Sequence, residues 1–271
     1  MSVRHFVGEE VAAGTPEHDR GVAYGDGLFE TMRAHEGGVH WWPAHWRRLE
    51  RGALALGFTL PAQERVRDEA GALLDGAGGV LKLIVTRGVG GRGYSPPHPA
   101  TPHWSLSLHD VPSATPADGL TLRWCDARMA LQPALAGIKH CNRLEQVLAR
   151  AEWRDPDIHE GLVRSTEGDV VSATAANLFV LHGDRWTTPA VDRCGIAGVC
   201  REWAIGVLQA REARLAVTDV EAADAVFLSN AARGILPVAR LGARVWRPHP
   251  QVAHLRRRLA AEHPAFATEV A

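Results

Sequence analysis

Apolar residues in the first 110 positions recur with strand and helix periods in turn. The segments FETMRAH and VHWW flank Glu36-Gly37-Gly38, which predicts a β-hairpin. Helical spacing predicts a helix from Pro43, a residue suited to a first helical turn, to Gly57, and a second helix over 61–75. The β-branched run VLKLIVTR at 80–87 and the alternating segment at 103–111 predict two strands.

The rest of the chain repeats this alternation. Strands are predicted at 120–127, within 160–182, and in the segments AVFLSN and ILPVARL. A helix is predicted from about Asn142, because Asn142 with Glu145 three positions later is close to a capping box. The apolar stripe of this helix would consist of Leu144, Val147, Leu148 and Ala151. Two further helices are predicted, one of about 15 residues from Val199 and one near 249–261.

The clearest internal boundary is VPSATPADG at 111–119, where two prolines and small polar residues separate two apolar segments. We therefore predict a mixed α/β protein with two domains. The N-terminal domain covers 1–111, a linker covers 112–119, and the C-terminal domain covers 120–271.

Composition excludes several classes of function. The 30 basic and 31 acidic side chains are interspersed and give a net charge of −1, so no basic patch predicts nucleic-acid binding. No segment approaches the roughly 18 apolar residues of a membrane span, and the N-terminus is too charged for a signal peptide. Four cysteines without a C-x-x-C motif indicate reduced thiols, and the scattered histidines predict no metal site. We expect a cytoplasmic protein.

Lysine is scarce, since only Lys82 and Lys139 occur among the 30 basic residues. Lys139 follows the small-residue turn at 136–138 and precedes a predicted helix start, which disfavours an ammonium ion and favours the free amine that forms Schiff bases. An ordinary surface lysine is the alternative. Lys82 lies in the middle of a predicted strand, where a lysine that extends to solvent or pairs with an acid is expected. Lys139 is therefore the candidate nucleophile.

Two glycine-rich segments could bind anions. Gly195-Ile196-Ala197-Gly198 opens a predicted helix, whose first backbone N–H groups suit a phosphate; a simple turn is the alternative. The loop at 87–94 carries Arg87 and Arg92, which could grip carboxylates, although a mobile surface loop explains it equally well. An amine, a phosphate cradle and carboxylate-binding arginines are together what a pyridoxal phosphate enzyme needs.

Six segments, in family order, resemble the fold-type IV pyridoxal phosphate enzymes, which include branched-chain and D-amino acid aminotransferases and aminodeoxychorismate lyases. They are YGDGLFET at 24–31, HWRRL at 45–49, GIKHCNRLEQVL at 137–148, ANLF at 176–179, GVCR at 198–201 and FLSN at 227–230. The resemblance covers nearly the whole chain. It implies a two-domain fold-type IV architecture and pyridoxal 5'-phosphate as cofactor.

The resemblance also implies roles for individual residues. Lys139 would hold the cofactor covalently and shuttle protons. The cofactor phosphate would be bound by Arg48, by the backbone N–H groups of Val199 and Cys200, and by the Asn230-Ala231 turn. Tyr24 and either Arg87 or Arg92 would contact the substrate, and both domains would contribute to one cofactor site.

Two features of the sequence are similar to the lyases of this family rather than to its aminotransferases. These are the loop at 87–94 and Thr31, which stands where the lyases have a threonine implicated in catalysis and branched-chain aminotransferases typically have glycine. Ser172 departs from the family pattern, because a glutamate usually faces the pyridine nitrogen there. A serine hydroxyl can only hydrogen-bond that nitrogen, so the cofactor would be a weaker electron sink.

The resemblance therefore implies a lyase that converts 4-amino-4-deoxychorismate to 4-aminobenzoate and pyruvate in folate biosynthesis, acting as a homodimer. One alternative is an aminotransferase for D-amino acids, branched-chain amino acids or amines. Another is a non-catalytic cofactor-binding relative, which the loss of the glutamate at Ser172 would allow.

Overall fold

The structure, a computed structural model, describes residues 3–269 and divides into two compact units. Unit 1 comprises Met1–Val111 together with Ile138–Asn142, and unit 2 comprises Pro112–Gly137 and Arg143–Ala271. The division after Val111 falls where the sequence places the start of a linker. Lys139, predicted to belong to the C-terminal domain, is grouped with unit 1 by its contacts.

Unit 1 contains one antiparallel sheet and three helices. Its strands, in the spatial order β2-β1-β5-β4-β3, are β1 (Val3–Val7), β2 (Glu10–Ala12), β3 (Gly27–Ala34), β4 (Gly79–Thr86) and β5 (His103–His109). The helices are α1 (Arg20–Tyr24), α2 (Trp42–Leu56) and α3 (Gln63–Leu74).

The core of unit 1 lies between α2, α3 and one face of this sheet. Gly52 lets α2 approach β3, because a Cβ at this position would lie 2.7 Å from Leu28 Cδ2. The buried apolar side chains on that face include Leu28, Met32, Leu83, Val85, Trp104 and Leu106. The opposite face of β3, β4 and β5 carries mainly polar side chains, and we call it the polar face; it includes Thr31, Lys82, Ser105 and Ser107.

The predicted hairpin at Glu36-Gly37-Gly38 is wrong in its second strand. Only an isolated bridge joins His35 to Gly38, and Trp42 already begins α2 with Pro43 in its first turn. One edge of β3 is instead paired along its whole length with β4. Gly57 ends α2 in a left-handed conformation, as predicted.

Unit 2 is built on a mixed sheet with the spatial order β11-β10-β9-β12-β13-β6-β7-β8, and β14 pairs with β13. Its strands are β6 (Leu120–Met129), β7 (Glu160–Ser165), β8 (Val170–Ala173), β9 (Asn177–His182), β10 (Arg185–Pro189), β11 (Arg211–Ala213), β12 (Ala225–Asn230), β13 (Gly234–Leu241) and β14 (Arg244–Val245).

Four α-helices lie among the described residues of unit 2, with two 3₁₀ helices at Pro133–Leu135 and Pro264–Glu269. The α-helices are α4 (Leu144–Arg150), α5 (Val199–Leu208), α6 (Val217–Glu221) and α7 (Pro250–Glu262). Across residues 3–269, no helix is both long enough and apolar enough to span a membrane.

Two helix predictions need correction. The capping box at Asn142 does not form: the N-cap of α4 is Arg143, while Glu145 accepts a hydrogen bond from the backbone N–H of Ala130. The expected apolar stripe is also not buried, since Leu144, Val147 and Leu148 are 75%, 58% and 64% exposed. Helix α5 is shorter than the 15 or so residues predicted from Val199, because Gln209 adopts a left-handed conformation and the residues that follow pair with β10 as β11.

Candidate active site

Lys139 lies in a short extended segment that pairs with the free edge of β3. The Phe29 N–H donates to the carbonyl of Lys139 over 3.0 Å, and the Cys141 N–H donates to the carbonyl of Gly27 over 2.9 Å. Leu28 and His140 form the antiparallel bridge between these two hydrogen bonds. Lys139 therefore lies opposite Phe29 on the polar face, with Nζ 4.1 Å from the ring centroid.

This placement differs from the predicted one, in which Lys139 abutted a helix N-terminus. The first helical residue of α4 is Leu144, five positions later. The backbone pairing with β3, not the helix, fixes the position of Lys139. Thr31, two residues beyond Phe29 on the same strand, lies on the same face because side chains alternate along a strand.

A buried ionic cluster lies on the other face of β3. Glu30 Oε1 accepts from Arg48 Nε over 2.8 Å, and Glu30 Oε2 accepts from Arg48 Nη2 and lies 2.6 Å from His45 Nδ1. All three side chains are buried. Burial alone would raise the pKa of Glu30, but the charge and hydrogen bonds of Arg48, together with His45, lower it from 4.5 to about 2. Glu30 is thus a carboxylate, and it fixes the plane of the Arg48 guanidinium.

His45 completes this cluster as a neutral imidazole. Burial lowers the pKa of His45, and with the positive charges of Arg48 and Lys139 it outweighs the opposing effect of Glu30. Because Glu30 is ionised, Nδ1 carries the proton and donates it to the carboxylate. The buried Nε2 of His45 is then an acceptor, and it has no hydrogen-bond partner in the described part of the chain.

The two arginines of the loop at 87–94 differ sharply. Arg87 is buried and donates to both carboxylate oxygens of Asp26 and to the carbonyls of Leu56 and Gly57. These four hydrogen bonds give Arg87 a structural role and leave little capacity for a substrate carboxylate. Arg92 is exposed.

Arg20 and Tyr24 fasten this loop to α1. The guanidinium of Arg20 donates to three consecutive carbonyls at 93–95 and to Asp26. The Tyr24 hydroxyl accepts from the Gly93 N–H over 3.2 Å, and its ring packs edge-on against Tyr94. The loop is therefore held at its C-terminal end.

Unit 2 contains a second group of candidate residues at the start of α5. Gly198 is the N-cap and provides no side-chain cap, so the N–H groups of Val199 and Cys200 depend on other acceptors. A Cβ at Gly198 would lie 2.1 Å from Asn177 Oδ1, and Asn177 Nδ2 donates to the carbonyl of Ile196. Asn177 therefore fixes the backbone entering α5. Burial raises the pKa of the Cys200 thiol far above its ordinary value, so this thiol is neutral.

The neighbouring strand adds a turn and an orphan hydroxyl. Ser229 is the register partner of Asn177, and its fully buried Oγ has no hydrogen-bond partner among the residues described. The Asn230 side chain accepts from the N–H groups of Ala232 and Arg233 and so orders the turn that contains Ala231. Ser172 is buried on β8, opposite Val163.

Sequence reasoning missed two residues of unit 1. Glu30 is the centre of the ionic cluster, and the available signal was an acidic residue among the inward positions of β3, which are otherwise apolar. Lys82 is the register partner of both Thr31 and Ser107, so it shares the polar face with Thr31 and Lys139. Which face of the sheet carries the Lys82 side chain became known only from the pairing of the strands.

Unit 1 carries a lysine amine and a hydroxyl on one face of β3 and a buried arginine on the other, and unit 2 carries a glycine-opened helix without a side-chain cap. These are groups expected of an enzyme with a phosphorylated aldehyde cofactor. The comparisons agree with that class. The amino-transferase class IV family matches residues 27–241. The chain therefore belongs to this family, and the resemblance inferred from the sequence motifs is confirmed.

Individual relatives point in the same direction. The aminodeoxychorismate lyase of Vibrio harveyi is 35% identical over 237 residues, which cover 84% of this chain and 88% of that protein. A crystal structure of 4-amino-4-deoxychorismate lyase from Pseudomonas aeruginosa matches with a TM-score of 0.89 and 38% identity, over 96% of this chain and 99% of that one. A D-alanine aminotransferase of Listeria monocytogenes is 26% identical over 88% of this chain and 85% of that protein. The two-domain fold-type IV architecture is thereby confirmed.

Proposed function

We propose that this protein is a pyridoxal phosphate-dependent lyase that converts 4-amino-4-deoxychorismate to 4-aminobenzoate and pyruvate, a step of folate biosynthesis. The observation that carries the proposal is the placement of Lys139 and Thr31 on one face of unit 1, in a chain 35% identical to a lyase of that name over 84% of its length. An amine and a hydroxyl are the two groups that the elimination requires.

The residues present fit the cofactor. Lys139 supplies the amine that would bind its aldehyde, and Arg48, held in plane by Glu30, is suited to its phosphate. The N–H groups of Val199 and Cys200, the orphan hydroxyl of Ser229 and the Asn230-Ala231 turn would supply further donors. Pyridoxal phosphate, when bound, delocalises the electron pair left at the carbon that bears the substrate amine.

The protein's own groups would move the protons. In this proposal Lys139 Nζ accepts the proton from the ring carbon that bears the amine. The Thr31 hydroxyl donates a hydrogen bond to the ether oxygen on the neighbouring carbon as the enolpyruvyl group departs. That group leaves with the electrons of the broken C–O bond as the enolate of pyruvate, which takes up one proton to become pyruvate, and the ring becomes aromatic. Arg92 and Tyr24 would contact the substrate; Arg87, which the sequence could not distinguish from Arg92, is already bound to Asp26.

The decisive experiment is incubation of the purified holoenzyme with 4-amino-4-deoxychorismate and no keto acid. The lyase releases 4-aminobenzoate and pyruvate in equal amounts. Failure to release either product would refute the proposal. An aminotransferase, the function of the Listeria relative, would instead turn over D-alanine or a branched-chain amino acid only when a keto acid is added.

Ser172 provides a test of the cofactor's electronic environment. We expect Ser172→Glu to change the absorbance of the bound cofactor and the pH profile of kcat, because a carboxylate would keep the pyridine nitrogen protonated whereas a hydroxyl cannot. Spectra and rates across pH 6–9 would measure this. Ser165→Glu, on the neighbouring strand β7, is the matched control. Identical spectra and profiles for Ser172→Glu and the wild-type protein would show that Ser172 does not face the ring.

We also propose that the protein is a cytoplasmic homodimer whose interface includes the exposed apolar face of α4. Leu144, Val147 and Leu148 are more than half exposed on this helix, and apolar side chains clustered in this way commonly mark an interface. We expect Leu148→Glu to shift the protein toward monomer in analytical ultracentrifugation. Val245→Glu, at a position of similar exposure on β14, should leave the association unchanged. Equal molecular masses for both variants and the wild type would exclude α4 from the interface.

A further inference from the structure

We propose that Lys82 binds the ring carboxylate of the substrate. This inference rests on the proposed function, since it identifies which group of the protein recognises the part of the substrate that remains in 4-aminobenzoate. It also assigns a role to the second of the two lysines in the chain.

The position of Lys82 follows from the register of the sheet. Thr31 on β3 and Ser107 on β5 are its direct partners, so all three side chains point to the polar face. Lys139 pairs with the other edge of β3 and points to this face as well. Phe29 lies between the two lysines, with Lys139 Nζ at 4.1 Å and Lys82 Nζ at 5.7 Å from its ring centroid.

The charge of Lys82 is not balanced by a carboxylate. Its side chain is half-buried, and no ion pair to it occurs within residues 3–269. The polar face of β3, β4 and β5 bears no acidic residue, and the two direct partners of Lys82 are neutral hydroxyls. The contact with Phe29, at the outer limit of a cation–π interaction, does not neutralise the ammonium. A half-buried cation in this setting is suited to an anionic ligand.

The distance between the two lysines indicates which of the two substrate carboxylates lies near Lys82. The segment of Lys139 and strand β4 lie on either side of β3, about 10 Å apart by the usual separation of neighbouring strands. A substrate whose amine is directed to Lys139 has its ring carboxylate at the opposite end of a six-membered ring. This carboxylate, rather than the one lost as pyruvate, is therefore the group that reaches Lys82.

The test compares ligands that differ only in charge, using the holoenzyme. The affinities of 4-aminobenzoate, of its neutral analogue 4-aminobenzamide and of pyruvate are measured as inhibition constants and by calorimetry. For Lys82→Met we expect the affinity for 4-aminobenzoate to fall on the order of 10- to 100-fold, as for the loss of a charge-assisted hydrogen bond. The affinities for 4-aminobenzamide and pyruvate should not change. KM for the substrate should rise by more than kcat falls.

Two further variants sharpen the result. Lys82→Arg retains the cation and should recover most of the affinity for 4-aminobenzoate. Arg67→Gln removes one positive charge from an exposed position on α3 and should change no affinity. An equal loss for 4-aminobenzoate and 4-aminobenzamide in Lys82→Met, or no loss for either, would overturn the proposal.

The wild-type protein provides an independent measurement if Lys82→Met does not fold. It should bind 4-aminobenzoate at least about 10-fold more tightly than 4-aminobenzamide, and equal affinities would refute the role of Lys82. The lyase proposal fails separately, because it requires that the wild-type protein release 4-aminobenzoate and pyruvate. A wild type that releases both, with Lys82 variants that bind both ligands normally, contradicts only the inference about Lys82.

Discussion

Replacing Lys139 by alanine is expected to abolish covalent attachment of pyridoxal phosphate. It should also lower kcat by about 10²- to 10⁴-fold, the usual contribution of a positioned proton-transfer group. The structure supports this expectation because backbone hydrogen bonds to Gly27 and Phe29 fix the segment that carries the lysine. The measurement is borohydride reduction followed by mass spectrometry of the peptide that contains residue 139, together with single-turnover assays.

Lys139→Arg is the matched variant for this experiment. It keeps a positive charge near Phe29 but offers no primary amine, so it should also lack reducible cofactor. Both variants should retain the urea midpoint of the wild type within experimental error, because Lys139 is only partly buried. If the cofactor can still be trapped by borohydride in Lys139→Ala, it is attached to Lys82, the only other lysine in the chain.

Sequence patterns correctly predicted the helices whose buried residues recur at helical intervals. Trp46, Leu49 and Ala53 recur at helical intervals and are buried on α2, and Val66 and Ala70 are buried on α3 in the same way. The pattern failed at α4, where residues with helical spacing face outward. Periodicity identifies an apolar face but not what covers it, so the exposed face of α4 could not be predicted from the chain alone.

In the candidate site, too, residues in local motifs could be predicted from the sequence, whereas contacts between distant segments could not. The motifs identified Lys139, Arg48 and the start of α5, because each lies in a contiguous segment that resembles the family. The neighbours of these residues come from other segments. Glu30 meets Arg48 across 18 positions, and Lys82 faces Thr31 only because β3 and β4 pair in one particular register. A shift of one residue would place Lys82 on the opposite face, and no local pattern specifies this register.

Glu30→Gln should be among the most destabilising single substitutions in unit 1. The variant keeps the shape of the side chain but removes the negative charge that pairs with Arg48 in the buried cluster. Breaking a buried ion pair from one side costs about 3–5 kcal/mol of the free energy of unfolding, because the remaining charge stays desolvated. The affinity of the apoprotein for inorganic phosphate should fall as well, since the Arg48 guanidinium loses its fixed plane. Urea denaturation at pH 7 and calorimetric titration with phosphate measure the two effects.

The difference in the free energy of unfolding between the wild type and Glu30→Gln depends on pH in a defined direction. The pKa of Glu30 falls from 4.5 to about 2 on folding, so its ionisation stabilises the folded state at every pH above 4.5. That contribution, about 3 kcal/mol from the size of the shift, is lost as the pH falls from 4.5 toward 2. The gap in stability between the wild type and Glu30→Gln should therefore be constant from pH 7 to about 5 and should narrow below it.

A double substitution separates loss of the ion pair from general disruption of the core. Glu30→Gln with Arg48→Met removes both charges, and replacing both partners of a buried pair by groups of similar size is often neutral or stabilising. The double variant should therefore unfold at a higher urea concentration than Glu30→Gln alone, with a coupling energy of roughly 1–3 kcal/mol in the cycle. If the two single effects simply added, Glu30 would stabilise unit 1 by packing, and its carboxylate could not be what orients Arg48.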